Sequence, residues 1–269
     1  MPELPEVETY RRSIEFHLLG ETLLDIRVYN PSLRWPFALE IYNLKNQMLL
    51  KVKRRGKYLL LAFSKGWIII HLGMSGNLRI SNQSFPKDKH DHVELIMTNS
   101  KILRYNDQRR FGAWLWCIDI NKTPLLDSLG PEPLSNNFNG NYLFKISRRK
   151  YTPIKPWLMD SKIVAGIGNI YANECLFMSR IDPNRLIDNL NLVETIKLAD
   201  SIKDILLSAI EKHGTTLQNF LQTDGMPGNF NNSLQVYKRD GKPCYICQQP
   251  IKREKQRQRS TYWCTNCQI

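Results

Sequence analysis

Two cysteine pairs close to the carboxyl end constrain this chain more tightly than any other feature. Cys244 and Cys247 are separated by two residues, as are Cys264 and Cys267, with sixteen residues between the pairs. Each CxxC folds into a tight knuckle, and two knuckles complete a tetrahedron of thiolates, so the spacing predicts one structural Zn2+. All four positions are taken by sulfur, which leaves no open coordination site for catalysis. Between the pairs lies KREKQRQRS, with five basic residues from Lys252 to Arg259. A metal-pinned hairpin carrying arginines suits contact with phosphate; a solvated basic loop would carry the same residues. Cys117 and Cys175 lie far from this cluster and read as ordinary core residues.

The charge balance points the same way. Lysine and arginine total 38 against 25 acids in 269 residues, a net charge of +13. Such an excess attracts polyanions, of which nucleic acid is the commonest. No apolar run approaches the eighteen or so residues of a membrane span. The opening MPELPEVETY is acidic and lacks an apolar core, so it is no secretory signal. A soluble cytoplasmic protein with reduced cysteines is expected.

Along the chain, residues 5–19 predict a helix. Pro5 suits its first turn, Glu6 and Glu8 favour its positive end, Val7, Ile14 and Leu18 share one face, and Gly20 stops it. From residue 22 to 119 the pattern is strand-like: TLLDIRVYN, LLKVKRRGKYLLLAF, WIIIHLG, HVELIM, KILRYND and AWLWCID, with TNSK as a hairpin turn. Short strands with this punctuation form a sandwich or a barrel. LGPEPLS at 129–135 reads as a linker. Beyond it the pattern is helical, strongest from Leu192 to His213, with Gly214 as its C-cap.

The amino terminus is itself a chemical group. Methionine is commonly removed before a small second residue, which would leave Pro2 as a secondary amine with a pKa of about 8. Such an amine attacks electrophilic carbon and forms an iminium. Glu3 beside it is the right type of residue for a proton donor.

MPELPEVET at the start, HLGMSG at 71–76, QRRFG at 108–112, KPWLMD with GIGNIYANE at 155–174, GTTLQNFLQTDG at 214–225 and the four-cysteine tail occur together and in order. In this set the chain resembles the formamidopyrimidine-DNA glycosylases, bacterial 8-oxoguanine glycosylase/lyases, from residue 2 to 267. The resemblance implies an α+β multidomain protein. Residues 1–130 would form a catalytic β-sandwich with a flanking helix, 131–234 a helical DNA-binding domain with a helix–two-turn–helix, and 235–269 a zinc finger. It assigns Pro2 as the nucleophile at C1′ of the damaged nucleotide and Glu3 as the general acid for sugar-ring opening. Lys57 becomes the proton donor for β-elimination, and Arg259 the arginine of δ-elimination and of the lesion's phosphate.

A base inside a duplex must be extruded before chemistry reaches it. By resemblance Met74, Arg109 and Phe111 fill the gap, the first and last as apolar wedges. His90, Lys150 and Asn169 match further DNA contacts; Lys150 could equally be a solvated helix end. GIGN, 166–169, is a turn leading into a helix whose N–H groups can hold a phosphate. Glu6 and Glu174 match acidic positions near the pocket, with a structural role for each weighed equally. The loop after Thr216, which closes over the flipped base in the family, contains Gln218 and Met226, where basic residues stand in some relatives. Lesion choice is where these departures bear. The implied partner is damaged double-stranded DNA, bound by a monomer in a bacterial cytoplasm, at the nucleoid, with no membrane.

Two other readings compete. An endonuclease VIII-type enzyme shares the fold and the proline but prefers oxidised pyrimidines; QRRFG and HLGMSG favour the purine enzyme. A non-catalytic zinc-ribbon DNA-binding protein accounts for charge and cysteines, but gives no reason for Pro2 and Glu3 together with Lys57.

Overall fold

The structure, a computed structural model, describes residues 1–82, 86–216 and 220–269. By contacts it forms two compact units, one of residues 1–127 and 210–231, the other of 128–209 and 232–269.

The first unit begins with helix α1 (Leu4–Leu18). Pro5 sits in its first turn, and Leu19 with extended dihedrals ends it before Gly20, whose φ is +81°. Val7, Tyr10, Ile14 and Leu18 recur at three- and four-residue steps and are all buried. Eight strands follow: β1 (Leu23–Val28), β2 (Lys51–Arg55), β3 (Tyr58–Phe63), β4 (Gly66–His71), β5 (Asn77–Asn82), β6 (Asp91–Met97), β7 (Lys101–Asn106) and β8 (Ala113–Cys117). They build two antiparallel four-stranded sheets, β1-β6-β7-β5 and β2-β3-β4-β8. Alternate residues such as Leu59, Leu61, Ile68, Ile70, Val93, Leu95 and Leu103 share one core with the buried face of α1. Of sandwich and barrel, the sandwich is the one formed. β5 falls outside the strand-like runs of the sequence, because NLRISN carries only Leu78 and Ile80 as core contacts.

Two crossovers pass between the sheets at one corner. Residues 72–76 join β4 to β5, and 107–112 join β7 to β8. They are neighbours because His71 pairs with Ala113 in one sheet and Asn77 with Asn106 in the other. Residues 210–231 return to this unit: Thr223 O accepts from Ile80 N at 3.0 Å, and Leu221 O accepts from Tyr10 Oη at 2.7 Å.

The short helix α2 (Pro124–Asp127) still belongs to the first unit; the second contains α3 (Gly140–Ser147), α4 (Ile154–Leu158), α5 (Asn169–Ser179) and most of α6 (Leu192–Glu211). Successive turns at 161–166 separate α4 from α5. LGPEPLS is no loose linker. Gly130 N donates to Ser161 O at 2.8 Å, Ala165 N donates to Pro131 O at 3.0 Å, and a side chain on Gly130 would strike Lys162 O. The unit ends in a hairpin of β9 (Lys252–Gln256) and β10 (Arg259–Trp263). Among the described residues no helix is long and apolar enough to cross a membrane.

Candidate active site and zinc centre

In the first unit the site begins at the chain's start. Residues 2–7 are buried, unusual for the end of a polypeptide, which normally frays unless it is tied down. Glu6 supplies the tie. Its Oε2 accepts from Glu3 N at 2.8 Å and its Oε1 from Thr215 N at 2.8 Å. One carboxylate thus joins the residues around Pro2 to the segment that leads into residues 217–219. Gly214, at φ +80°, lies so close that a Cβ there would stand 3.0 Å from Glu6 Oε1.

Lys57 occupies the two-residue turn between β2 and β3, after Gly56 at φ +55°, a backbone conformation that glycine enters without penalty. The turn is tied to α1: Arg54 pairs with Glu8 at 3.2 Å, both nearly buried, and donates to Gly56 O at 3.0 Å. Beyond the turn, His71 stacks near Tyr58 with ring centroids 4.9 Å apart. Burial first, then the charges of Lys57 and Arg34, push the His71 pKa down to about 4. The neutral ring accepts from Gly73 N through Nδ1 at 3.1 Å, shaping the loop that carries Met74.

Met74 is half-buried and Phe111 is 45% exposed; neither belongs to the core. The Arg109 guanidinium lies 4.6 Å over the Phe111 ring. Arg110 between them has φ +56°, a left-handed conformation that costs a non-glycine residue energy and survives only where its surroundings impose it. His90 is half-buried, and its carbonyl accepts from Asp107 N at 3.0 Å.

The second unit brings Asn169 and Arg259 together through a single carbonyl. Asn169, the first residue of α5, donates to Ser260 O at 3.0 Å, and Lys155 donates to the same oxygen at 2.9 Å and to Thr261 Oγ1 at 2.9 Å. Arg259 is exposed at the start of β10, after a turn whose residues Arg257 and Gln258 both have positive φ. A cavity of about 120 Å³ beside it is lined by Lys155, Met159, Gln256, Arg257 and Arg259. Lys150 is exposed beyond α3, in a chain reversal held by Arg149 N donating to Asp188 Oδ1 at 2.8 Å.

The four cysteine Sγ atoms lie within 4.8 Å of one another. Thiolates about 2.3 Å from a tetrahedral zinc stand about 3.8 Å apart; Cys244 to Cys267 measures 3.9 Å and Cys247 to Cys264 3.3 Å. Cys244 and Cys264 are buried in a small core with Phe177, Val236, Ile251 and Tyr262. Glu174 fastens this module to α5 by accepting from the successive N–H groups of Gln235, Val236 and Tyr237 at 2.7, 3.0 and 2.8 Å. Burial raises its pKa, against the pull of those donors.

Three segments match family models: residues 1–114 the formamidopyrimidine-DNA glycosylase N-terminal domain, 129–220 the formamidopyrimidine-DNA glycosylase H2TH domain, and 241–269 a zinc finger found in FPG and IleRS. The chain is 57% identical over 268 residues to a formamidopyrimidine-DNA glycosylase of Escherichia coli (strain 55989 / EAEC), covering 100% of both. The chain belongs to the formamidopyrimidine-DNA glycosylase family. Its fold matches a Lactococcus lactis Fpg complexed with DNA containing an abasic site, at TM-score 0.91 and 32% identity over 99% of each chain. It also matches a MutM in complex with DNA containing carbocyclic 8-oxo-G, at TM-score 0.90, 32% identity and 99% of each chain. The four thiolates are the site of one structural zinc, as the cysteine spacing predicts.

Sequence reasoning did not single out Lys155, Arg54 or Asp107. Each is a charged residue at or near full burial, and the information that it is buried resides in contacts remote in sequence. For Lys155, 1% exposed, KPWLMD offered a motif but no role. Gln218 lies outside the described residues; Met226 is exposed at a turn, its carbonyl accepting from Gln222 N at 2.8 Å.

The Glu6 bridge makes a prediction. Both of its oxygens face N–H donors, so in Glu6→Gln the new amide must point its own N–H groups at one of them. The loss is expected at about 1–3 kcal/mol of unfolding free energy. Urea titration of parent and variant measures it, and an unchanged midpoint would refute the bridge.

Proposed function

We propose that this protein is a bifunctional DNA glycosylase and abasic-site lyase of base excision repair, removing oxidised purines, 8-oxoguanine and formamidopyrimidines, from duplex DNA. What carries the reading is the amino terminus: a buried Pro2-Glu3 held at the start of α1, with the Lys57 turn fastened to the same helix. A solvated leader or a scaffold domain has no need of that arrangement.

With Met1 removed, the Pro2 nitrogen bonds to C1′ of the flipped nucleotide as the C1′–N bond breaks and the base departs. Glu3 gives a proton to the ring oxygen as the sugar opens, leaving an iminium. The iminium acidifies C2′, so loss of a C2′ proton expels the 3′ phosphate, and a second elimination expels the 5′ phosphate. Lys57 serves as proton donor in the first elimination. Arg259 holds the lesion's phosphate and serves the second. Met74, Arg109 and Phe111 occupy the gap left in the stack, while His90, Lys150 and Asn169 bind the backbone. The zinc supplies structure to the finger and no chemistry. The enzyme acts as a monomer in the bacterial cytoplasm, at the nucleoid.

Borohydride reduces an iminium to a stable amine and so traps enzyme on DNA. Trapping and strand cleavage are expected on duplex carrying 8-oxoguanine, with much weaker reaction on thymine glycol. The opposite preference would favour the endonuclease VIII-type reading, and DNA binding without trapping would favour a non-catalytic binder.

A further inference from the structure

We propose that Asp107 is the positioning residue that locks the two crossover loops together and presents Met74, Arg109 and Phe111 as one rigid unit; this rests on the gap-filling reading of those three residues.

Asp107 is fully buried just past the end of β7, and each of its polar groups is bonded. Its Oδ1 accepts from Ser75 Oγ at 2.5 Å, in the loop of Met74. Its Oδ2 accepts from Gly112 N at 2.8 Å, just past Phe111, and from Tyr105 Oη at 2.8 Å. Burial and the Asp107 charge raise the Tyr105 pKa far above its ordinary value, so the phenol remains a donor. Ser75 Oγ in turn accepts from Arg109 N at 3.1 Å, so one hydroxyl is shared between the loops. The backbone of Asp107 completes the junction: its N–H donates to His90 O at 3.0 Å, and its carbonyl accepts from Arg110 N at 3.2 Å and lies 2.8 Å from His92 Nε2.

The loops also touch backbone to backbone. A side chain on Gly73 would stand 2.4 Å from the Phe111 carbonyl carbon, and one on Gly112 1.7 Å from Tyr105 Oη. Little room remains for either loop to shift alone. Wedge residues on independent loops would pay ordering entropy at the moment of insertion; residues on loops joined at a buried carboxylate have already lost that freedom. Loops without such a junction would have no cause to hold Arg110 in a left-handed conformation between two exposed side chains.

The test compares a substrate that leaves a gap with one that leaves none. Full-length Ser75→Ala removes the shared hydroxyl and leaves Asp107 bonded to Tyr105 and Gly112; Asp107→Asn is the harsher companion. On duplex 8-oxoguanine, single-turnover base excision by Ser75→Ala is expected to fall roughly 10- to 100-fold. Borohydride trapping on an abasic single strand, where no stack needs filling, is expected to stay within about twofold of parent. In a double-mutant cycle with Phe111→Ala the two losses should be markedly less than additive, as for residues acting through one device. Equal loss on both substrates, full additivity or no loss on the duplex would each overturn the role of Asp107. The gap-filling reading fails separately, if Met74→Ala and Phe111→Ala themselves leave duplex excision untouched.

Discussion

Pro2→Gly is expected to abolish borohydride trapping on an 8-oxoguanine duplex, a loss of at least about 10²-fold, while the protein still binds the DNA. The substitution leaves an amine at the mature chain's start, so the expected loss comes from placement and not from deleting a nucleophile. Proline's ring restrains the backbone at the residue proposed to attack C1′, and the following residues are buried and fastened through Glu6. Glycine at that position restores the freedom of a fraying end, and the attacking nitrogen spends most of its time out of reach. The secondary amine also passes directly to a charged iminium, which is the species that drives elimination. Trapping at the parental rate would remove Pro2 from the mechanism. Intact-mass measurement of the same samples checks the removal of Met1.

Removing the zinc is the second large effect. Chelation, or Cys264→Ser, is expected to weaken duplex binding by about 10²-fold or more near physiological salt, because the basic hairpin loses its fixed shape and its phosphate contacts. The metal's share of folding free energy in such modules is about 10–16 kcal/mol, comparable to the whole stability of an ordinary domain. Cys244 and Cys264 stand in the small core that the hairpin shares with Phe177 of α5, so the loss extends to the seat of Arg259. Pro2, the proposed nucleophile, belongs to the other compact unit, and at saturating DNA its trapping should persist. Unchanged affinity without metal would mean that the finger is no clamp.

Much of this architecture is legible in the sequence because it is local. A helix over 5–19 is readable from a proline, two acids and a 3.6-residue apolar rhythm, and α1 spans Leu4–Leu18. The TNSK turn is readable from its residue types, and it closes the β6–β7 hairpin. Strand β5 escapes because its two inward residues do not make a pattern. Glu6 was legible as an acid in a first turn, but its second partner lies 209 residues away, at Thr215. Met74 and Phe111 are apolar side chains whose residue type alone does not place them outside the core; their position on the two crossovers does.

The sequence by itself determined the zinc ligands, the runs that become helix α1 and most strands, the chemical identity of the chain's first groups, and the family. All of these depend on spacing or on residue type within a short window. Tertiary structure alone decided that residues 210–231 return to the sandwich, that Lys155 and Asn169 meet at the Ser260 carbonyl, and that Ser75, Gly112 and His90 converge on Asp107. The physical reason is that a buried polar group must find a partner wherever the fold puts one. Which remote donor reaches a buried carboxylate is set by how strands cross between sheets, and no short window of sequence carries that geometry.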